Sequence, residues 1–278
     1  MERVFEISQA QDKQAALFHR LARSGSLLVA LSGGADSAYL AWASHRVLGE
    51  RALSVTAISP SFPACDREQV EALVSVVRLR HEFIETRELE NPLYSANRAD
   101  RCYHCKDELF TVLGGLARSR GFAAVAYGIN ADDAGDFRPG HRAAAEHLVL
   151  SPLLDAGLTK VEIRALSRLA GLPTWDRPAS ACLSSRIPYG SEVTPQKLAQ
   201  IERAEAELRE MGFRQFRVRH HGDLARIEIA PEELPRALDP AVLREMGRRL
   251  RGAGFLYVAL DVDGYRQGSL NAALKVVG

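Results

Sequence analysis

Sulfur and aromatic rings are scarce in this 278-residue sequence, which holds four cysteines, three methionines and two tryptophans, with Phe, Trp and Tyr together at 7%. Four cysteines are too few for the disulfide framework of a small secreted domain, so each is read as chemistry or metal ligand before staple. Long hydrophobic runs are absent as well. Nothing approaches the about 20 apolar residues that cross a bilayer, and the opening MERVFEISQAQDKQ is polar where a secretory leader is apolar. These absences point to a cytoplasmic protein with no membrane partner. Neither sign of charge is in excess: 36 Lys and Arg stand against 35 Asp and Glu, a net +1. Such a balance excludes a chain held on nucleic acid by its overall field and leaves a local basic patch as the way to that partner. Internal repeats and low-complexity tracts are missing too. What is plentiful is apolar residue, 46% of the chain, over a length that suits about two domains with a core each.

Strand-like runs alternate with helical patterns through the first two-thirds. Leu27–Leu31, Ala52–Ile58, His81–Glu85 and Ala123–Gly128 read as buried strands. Ser37–Leu48, Asp66–Val77 and Lys106–Arg118 carry apolar residues at three- and four-residue steps, and Thr159 with Glu162 forms a capping box for a helix ending near Ala170. This alternation predicts an α/β fold, a doubly wound and mostly parallel sheet, over residues 1–176. Gly171–Pro195 is rich in Pro, Ser and Gly and reads as a long functional connection. Residues 177–278 are entered through it and read as a smaller C-terminal α+β domain for substrate and oligomer contacts. Its expected elements are a helix opened by Thr194 and Pro195, strands Phe213–His220 and Ala225–Ile229, a helix capped by Asp239, and a last strand Phe255–Leu260.

The first strand runs directly into Ser32-Gly33-Gly34-Ala35-Asp36-Ser37 and then a helix. Paired glycines let the backbone approach a ligand and turn successive N–H groups inward, and the helix start adds its positive dipole end. Ser32 and Ser37 supply hydroxyls for phosphate oxygens, and Asp36 is placed to hold Mg²⁺ or orient a polyphosphate. A Gly-Gly turn also serves simply to join strand to helix, but the two serines and the aspartate favour an anion cradle. No lysine follows the glycines, so this is not the Walker A arrangement. SGGADS resembles the SGGxDS signature of the PP-loop ATP pyrophosphatases, whose fold is that of the adenine nucleotide alpha hydrolases. The resemblance implies ATP cleaved between its α and β phosphates to adenylylate a substrate. It also implies an adenine seated against the ends of the first two strands, here Ala30 to Leu31 and Ile58 to Ser59.

Cys102 and Cys105 form C-x-x-C in RCYHCK, at the mouth of a predicted helix whose dipole, with Arg101 and Lys106, favours thiolates. Structural zinc, a redox dithiol and an iron–sulfur cluster all use that pattern. Cys182, in DRPASACLSSRIPYG between Arg177 and Arg186, suits attack on an activated substrate, or it is a small buried hydrophobe. Cys65 reads as an incidental thiol. Strand alternation puts Arg217 and Arg219 on one face, roughly 7 Å apart, where guanidinium forks suit phosphate and carboxylate. The alternative is a charged strand face paired with Glu228. Asp132, Asp133 and Asp136 follow the fourth strand and read as Mg²⁺ or ribose ligands or as turn formers.

PASACLSSRIPYG, GINADDAGDFRPG at 128–140 and DVDGYRQGSLN at 261–271 together resemble the LarE family of ATP-dependent sulfur transferases, over nearly the whole chain. The resemblance implies a small-molecule nucleotide substrate, pyridinium-3,5-biscarboxylic acid mononucleotide, whose carboxylates are adenylylated and converted to thiocarboxylates for the nickel-pincer cofactor of lactate racemase. It implies ATP and Mg²⁺ held by Ala30, Ser32, Gly33, Gly34, Asp36, Ser37 and Ile58, with Asp36 the Mg²⁺ ligand, and a homo-oligomer. Sulfur is carried at Cys182, and Arg186, Arg217 and Arg219 meet the substrate's phosphate and carboxylates. Family members either sacrifice the cysteine sulfur or hold a 4Fe-4S cluster bearing an exchangeable sulfide. With Cys102, Cys105 and Cys182 in this chain, the cluster is the favoured expectation. A PP-loop tRNA-thiolating enzyme is the chief rival and would need a broad basic face. An ammonia-using synthetase would not require three placed cysteines, and a non-catalytic nucleotide-binding or zinc module would show no ATP:pyrophosphate exchange.

Overall fold

The computed structural model describes residues 2–135, 139–178 and 181–266. The chain opens with α1 (Glu2–Arg23), β1 (Leu27–Ala30), α2 (Ala35–Leu48), β2 (Ala52–Ile58), α3 (Ala64–Val77) and β3 (His81–Glu85). It continues with α4 (Pro92–Ser95), α5 (Arg101–Arg120), β4 (Ala124–Tyr127), α6 (Pro139–Glu146), α7 (Pro152–Asp155) and α8 (Lys160–Leu169). Last come α9 (Pro195–Glu210), β5 (Phe216–His221), β6 (Leu224–Ile229), α10 (Leu234–Ala237), α11 (Pro240–Gly252) and β7 (Tyr257–Leu260). Two compact units result, one of Met1–Glu88 and Cys102–Ser180, the other of Leu89–Arg101 and Ala181–Gly278.

The first unit is the expected α/β layer structure. Its four strands lie in the order β3-β2-β1-β4, all parallel, with Leu27 of β1 registered against Ala52 and Ala124. Side chains alternate across the sheet, so Leu27 and Val29 enter one core with α1, α2, α3 and α8, while Leu28 enters the other with Phe110, Leu113 and Ala117 of α5. The capping box forms as the sequence predicts: Thr159 accepts from Glu162 N, and the Glu162 carboxylate accepts from Thr159 N. Two helices exceed expectation. The α1 pattern is masked by polar residues that serve inside: Gln14 donates to the buried Tyr39 Oη at 2.7 Å, and Lys13 pairs with Glu162 at 2.7 Å. Helix α5 begins at Arg101 rather than Lys106, because its first turn, carrying both cysteines, lacks the apolar stripe on which a helix is recognised.

In the second unit β5 pairs antiparallel with β6, and β6 parallel with β7, giving the order β5-β6-β7. Phe216, Val218, Ala225, Ile227 and Ile229 face a core closed by Leu208 of α9 and by Met246 and Leu250 of α11. Thr194 caps α9 ahead of Pro195, and Asp239 caps α11 ahead of Pro240, as read from the sequence. The segment that carries Cys182 has little regular structure of its own, a 3₁₀ turn at Leu183–Arg186. It is held instead by residues from Asn91 to Arg101. Asn97, fully buried and in the left-handed region with φ 53°, donates to the carbonyls of Ile187, Pro188 and Ser191 at 3.2, 2.8 and 2.8 Å and accepts from Arg101. Tyr94 Oη and Ser184 Oγ lie 2.6 Å apart. Asparagine suits this position because it tolerates positive φ and caps several carbonyls from one side chain. Asn97→Ala should therefore cost about 2–3 kcal/mol in urea unfolding and speed protease cleavage within 182–193. An unchanged midpoint and cleavage pattern would show that the segment is held by something else.

Candidate active site at the carboxyl end of the parallel sheet

Strand order reverses between β1 and β4, and the SGGADS turn leaves β1 at that switch point, where ligands sit in open α/β sheets. Gly33 has φ 78°, a conformation L side chains rarely adopt, and a Cβ there would come within 3.0 Å of Val70 Cγ2. Ser32 N donates to Ser37 Oγ at 3.2 Å, the two hydroxyls lie 3.0 Å apart, and Ser37 Oγ donates to Gly34 O at 3.1 Å. The turn is thereby closed on itself ahead of α2, with Gly34 at the helix N-cap. Ala30 ends β1 and Ile58 ends the adjacent β2, both half-buried, so the nucleotide positions read from the sequence border one sheet edge. Thr56 donates to Leu31 O at 2.8 Å and lies 2.9 Å from His81 Nε2. Burial pushes His81 down to about 4, so it stays neutral and donates to the Thr56 oxygen.

Asp36 is the charged group of the turn. Asn130 Nδ2 donates to its Oδ2 at 3.0 Å, while Oδ1 is buried and has no hydrogen-bond partner. Burial pushes the Asp36 carboxyl above its ordinary range against the opposing pull of Lys160, Asn130 and Arg164, and Asp133 adds to the rise. A buried carboxylate oxygen left without a partner is the donor a hard divalent cation takes, so these residues fit Mg²⁺. The acidic cluster predicted after β4 divides its work. Asp132 accepts from Lys160 N at 2.8 Å, at the first residue of α8, and Asp133 accepts from Asn130 N at 3.4 Å, whereas Asp136 lies outside the described residues. Three contributors escaped the sequence reading. Gly128 is so close that a Cβ would come within 2.7 Å of Ser37 N, Asn130 orients Asp36, and Glu88 is buried as acceptor for Ser59 and Ser61 just beyond β2. Asn130 lies in the motif GINADD and was legible there; Glu88 carries no local signal.

The expected substrate arginines all lie in the second unit. Arg186 is buried and engages Glu205 through both fork atoms at 2.9 and 3.0 Å, while its Nη1 donates to Ala181 O and Cys182 O at 2.5 and 2.9 Å. It therefore shapes the turn that carries Cys182. Burial would raise the Glu205 carboxyl, but Arg186 outweighs it and holds the group below its ordinary range. Arg217 and Arg219 do share one sheet face, as read from strand alternation. Arg219 pairs with the buried Glu228 at 2.6 Å and donates to Ser185 O at 2.7 Å. Arg217 lies across the Tyr265 ring at 5.1 Å, and burial together with the like charge of Arg186 weakens its hold on its proton.

No family model matches the chain. It is 44% identical over 247 residues to an uncharacterized protein of Synechocystis sp., across 89% of this chain and 92% of that one. It is also 35% identical over 264 residues to the pyridinium-3,5-bisthiocarboxylic acid mononucleotide synthase of Lactiplantibacillus plantarum, across 94% of this chain and 95% of that one. The chain belongs to the LarE family. An uncharacterized protein of Methanocaldococcus jannaschii matches at 29% over 170 residues, 61% of this chain and 66% of that one.

No disulfide joins the four cysteines of this LarE chain. Cys102 and Cys105 leave the first turn of α5, with Cys102 exposed, and Cys182 caps the 3₁₀ turn before Leu183. Among the described residues, no three His, Cys, Asp or Glu side chains are grouped to hold a metal ion. Arg101, which precedes the thiols in the first turn of α5, is buried and donates to Asn97 and to Ser184 O. Among the described residues, no helix is long and apolar enough to cross a membrane.

The raised Asp36 value has a definite consequence for stability. At low pH native and unfolded chains both hold the proton; as pH climbs above the ordinary carboxylate range the unfolded chain ionises first, and native stability falls. Asp36→Asn removes that burden while keeping the shape. The variant should be more stable than the parent at neutral pH, with the difference shrinking to nothing near about pH 3, below the ordinary carboxylate range. Urea unfolding at stepped pH measures it, and a difference that widens on acidification contradicts the burial assigned to Asp36.

Proposed function

We propose that this chain is an ATP-dependent sulfur transferase that adenylylates the carboxylates of pyridinium-3,5-biscarboxylic acid mononucleotide and converts them to thiocarboxylates, toward the nickel-pincer cofactor of lactate racemase. What carries this reading is near-full-length likeness to a synthase named for a bisthiocarboxylic product, in a chain whose phosphate turn has no Walker lysine. In the first half-reaction a substrate carboxylate oxygen attacks the α-phosphorus of ATP, and the bond to pyrophosphate breaks. The Gly33–Gly34 turn, Ser32 and Ser37 receive the polyphosphate, and Ala30 and Ile58 border the adenine. Asp36 would hold Mg²⁺, which neutralises polyphosphate charge when bound.

In the second half-reaction the Cys182 thiolate attacks the acyl carbon and AMP leaves. Loss of the Cys182 Cα proton with cleavage of its Cβ–S bond then yields the thiocarboxylate and leaves dehydroalanine. Arg217 and Arg219 are assigned to the substrate's phosphate and carboxylates, while Arg186, expected there too, has its fork engaged by Glu205 and by the carbonyls of Ala181 and Cys182 and shapes the turn that carries Cys182. In support, Arg217 and Arg219 share one face of the sheet, and burial with the like charge of Arg186 outweighs Glu205 in weakening the hold of Arg217 on its proton.

Incubation with ATP, Mg²⁺ and the pyridinium mononucleotide, read by mass spectrometry of both product and protein, tests the reading. Thiocarboxylate should form with stoichiometric AMP. Loss of one H₂S from the protein in iron-free samples marks Cys182 as the sulfur source, whereas turnover that requires iron returns the source to a cluster on Cys102, Cys105 and Cys182. Cys182→Ala should make acyl adenylate but no thiocarboxylate, and Asp36→Ala should stop both. Thiocarboxylate from the Cys182→Ala variant would end the proposal.

A further inference from the structure

Arg177 belongs to the connection that leads to Cys182, yet its side chain is engaged by the phosphate turn. Nη1 donates to Gly33 O at 2.6 Å and Nη2 to Asp66 Oδ1 at 2.5 Å. Asp66 is buried in the first turn of α3, so the pair is a desolvated one. The backbone is fixed as well: Arg164 Nη2 donates to Arg177 O at 2.5 Å, and Arg177 N donates to Thr174 O at 3.2 Å. A Cβ at Gly33 would stand 3.1 Å from Arg177 Nη1, so the guanidinium packs directly against that glycine.

Two consequences follow from elementary geometry. A trans peptide points its C=O and N–H in opposite directions, so drawing Gly33 O toward Arg177 turns the Gly34 N–H away from it, in the sense an anion cradle needs. The same side chain also pins the stem of the thiol-bearing segment to that peptide. We propose that Arg177 is a positioning residue that couples the two half-reactions, setting the Gly33–Gly34 peptide for polyphosphate and fixing the point from which the Cys182 segment extends. The proposal rests on the sulfur-transfer reading above. With Arg177 lost, the acyl adenylate still forms, but more of it is attacked by water at the acyl carbon, releasing AMP and the original carboxylate.

The full chain with ATP, Mg²⁺ and the pyridinium mononucleotide provides the test. Substrate-dependent ATP:pyrophosphate exchange reports adenylylation, and thiocarboxylate formed per AMP released reports coupling. Arg177→Ala should slow exchange several-fold and lower the coupling ratio by a further factor on the order of ten or more, since small misplacements of reacting groups are that costly. Arg177→Lys, a point charge that serves one acceptor at a time, should restore part of the ratio. Should Arg177→Ala fail to fold, Asp66→Asn removes the ion pair at constant shape and should lower the same ratio. An unchanged ratio in whichever variant folds, with exchange and product falling together, assigns Arg177 to binding or folding and overturns the proposal. Absence of exchange in the unaltered chain refutes the sulfur-transfer reading itself, a result distinguishable from a loss confined to the variants.

Discussion

The glycine turn after β1, the candidate anion cradle, stands on a close approach of two backbones. Gly128, just past β4, lies against the first turn of α2 where any Cβ would meet Ser37 N at 2.7 Å. That contact brings the loop after β4 onto the loop after β1, and with it Asn130 onto Asp36. From there the order propagates through polar groups: Asp132 takes Lys160 N, Thr159 and Glu162 cap α8, and Lys13 of α1 closes on Glu162. The glycine turn itself supplies freedom of φ, but its orientation is imposed by these neighbours. A buried carboxylate with one oxygen left without a partner costs stability, and proteins retain such groups where a ligand completes them.

In the second unit buried charge serves a different end. Arg186 with Glu205, and Arg219 with Glu228, are ion pairs almost wholly removed from water, at 2.9 and 2.6 Å. Pairs of this kind add little net stability over apolar residues of the same size, yet losing one partner is severe. Their effect is geometric. Arg186 gathers the carbonyls of Ala181 and Cys182, Arg219 takes that of Ser185, and Asn97 takes three more from Ile187 to Ser191. A segment with one 3₁₀ turn of regular structure is thus held by side chains that reach in from α9, β5 and residues near α4.

Periodicity carried much of the fold. The strands at Ala52–Ile58 and His81–Glu85 match their expected bounds, but only the first is a buried run; His81–Glu85 lies at the sheet edge and is half-buried to exposed, not buried as expected. The caps at Thr159, Thr194 and Asp239 were equally local and equally readable. Helix α1 was not, since Lys13 and Gln14 look like solvent-facing residues until Glu162 and Tyr39 are seen beside them. The role of Arg186 was open for the same reason: a guanidinium near a thiol reads as a ligand for anions, and only the buried Glu205 shows how much of its fork is engaged within the protein.

By itself the sequence determined the α/β class, the glycine turn after β1, the cysteine in its irregular segment and the family, all of which rest on short-range spacing that survives without coordinates. Tertiary structure decided which charges are held and by what. Gly128, Asn130, Glu88, Asp66 and Arg177 matter through partners far away along the chain, and linear spacing carries no information about contacts that only folding creates. Electrostatic roles fall on that side most completely, because the strength of a charge depends on the water and counter-charges around it, and both are set by burial.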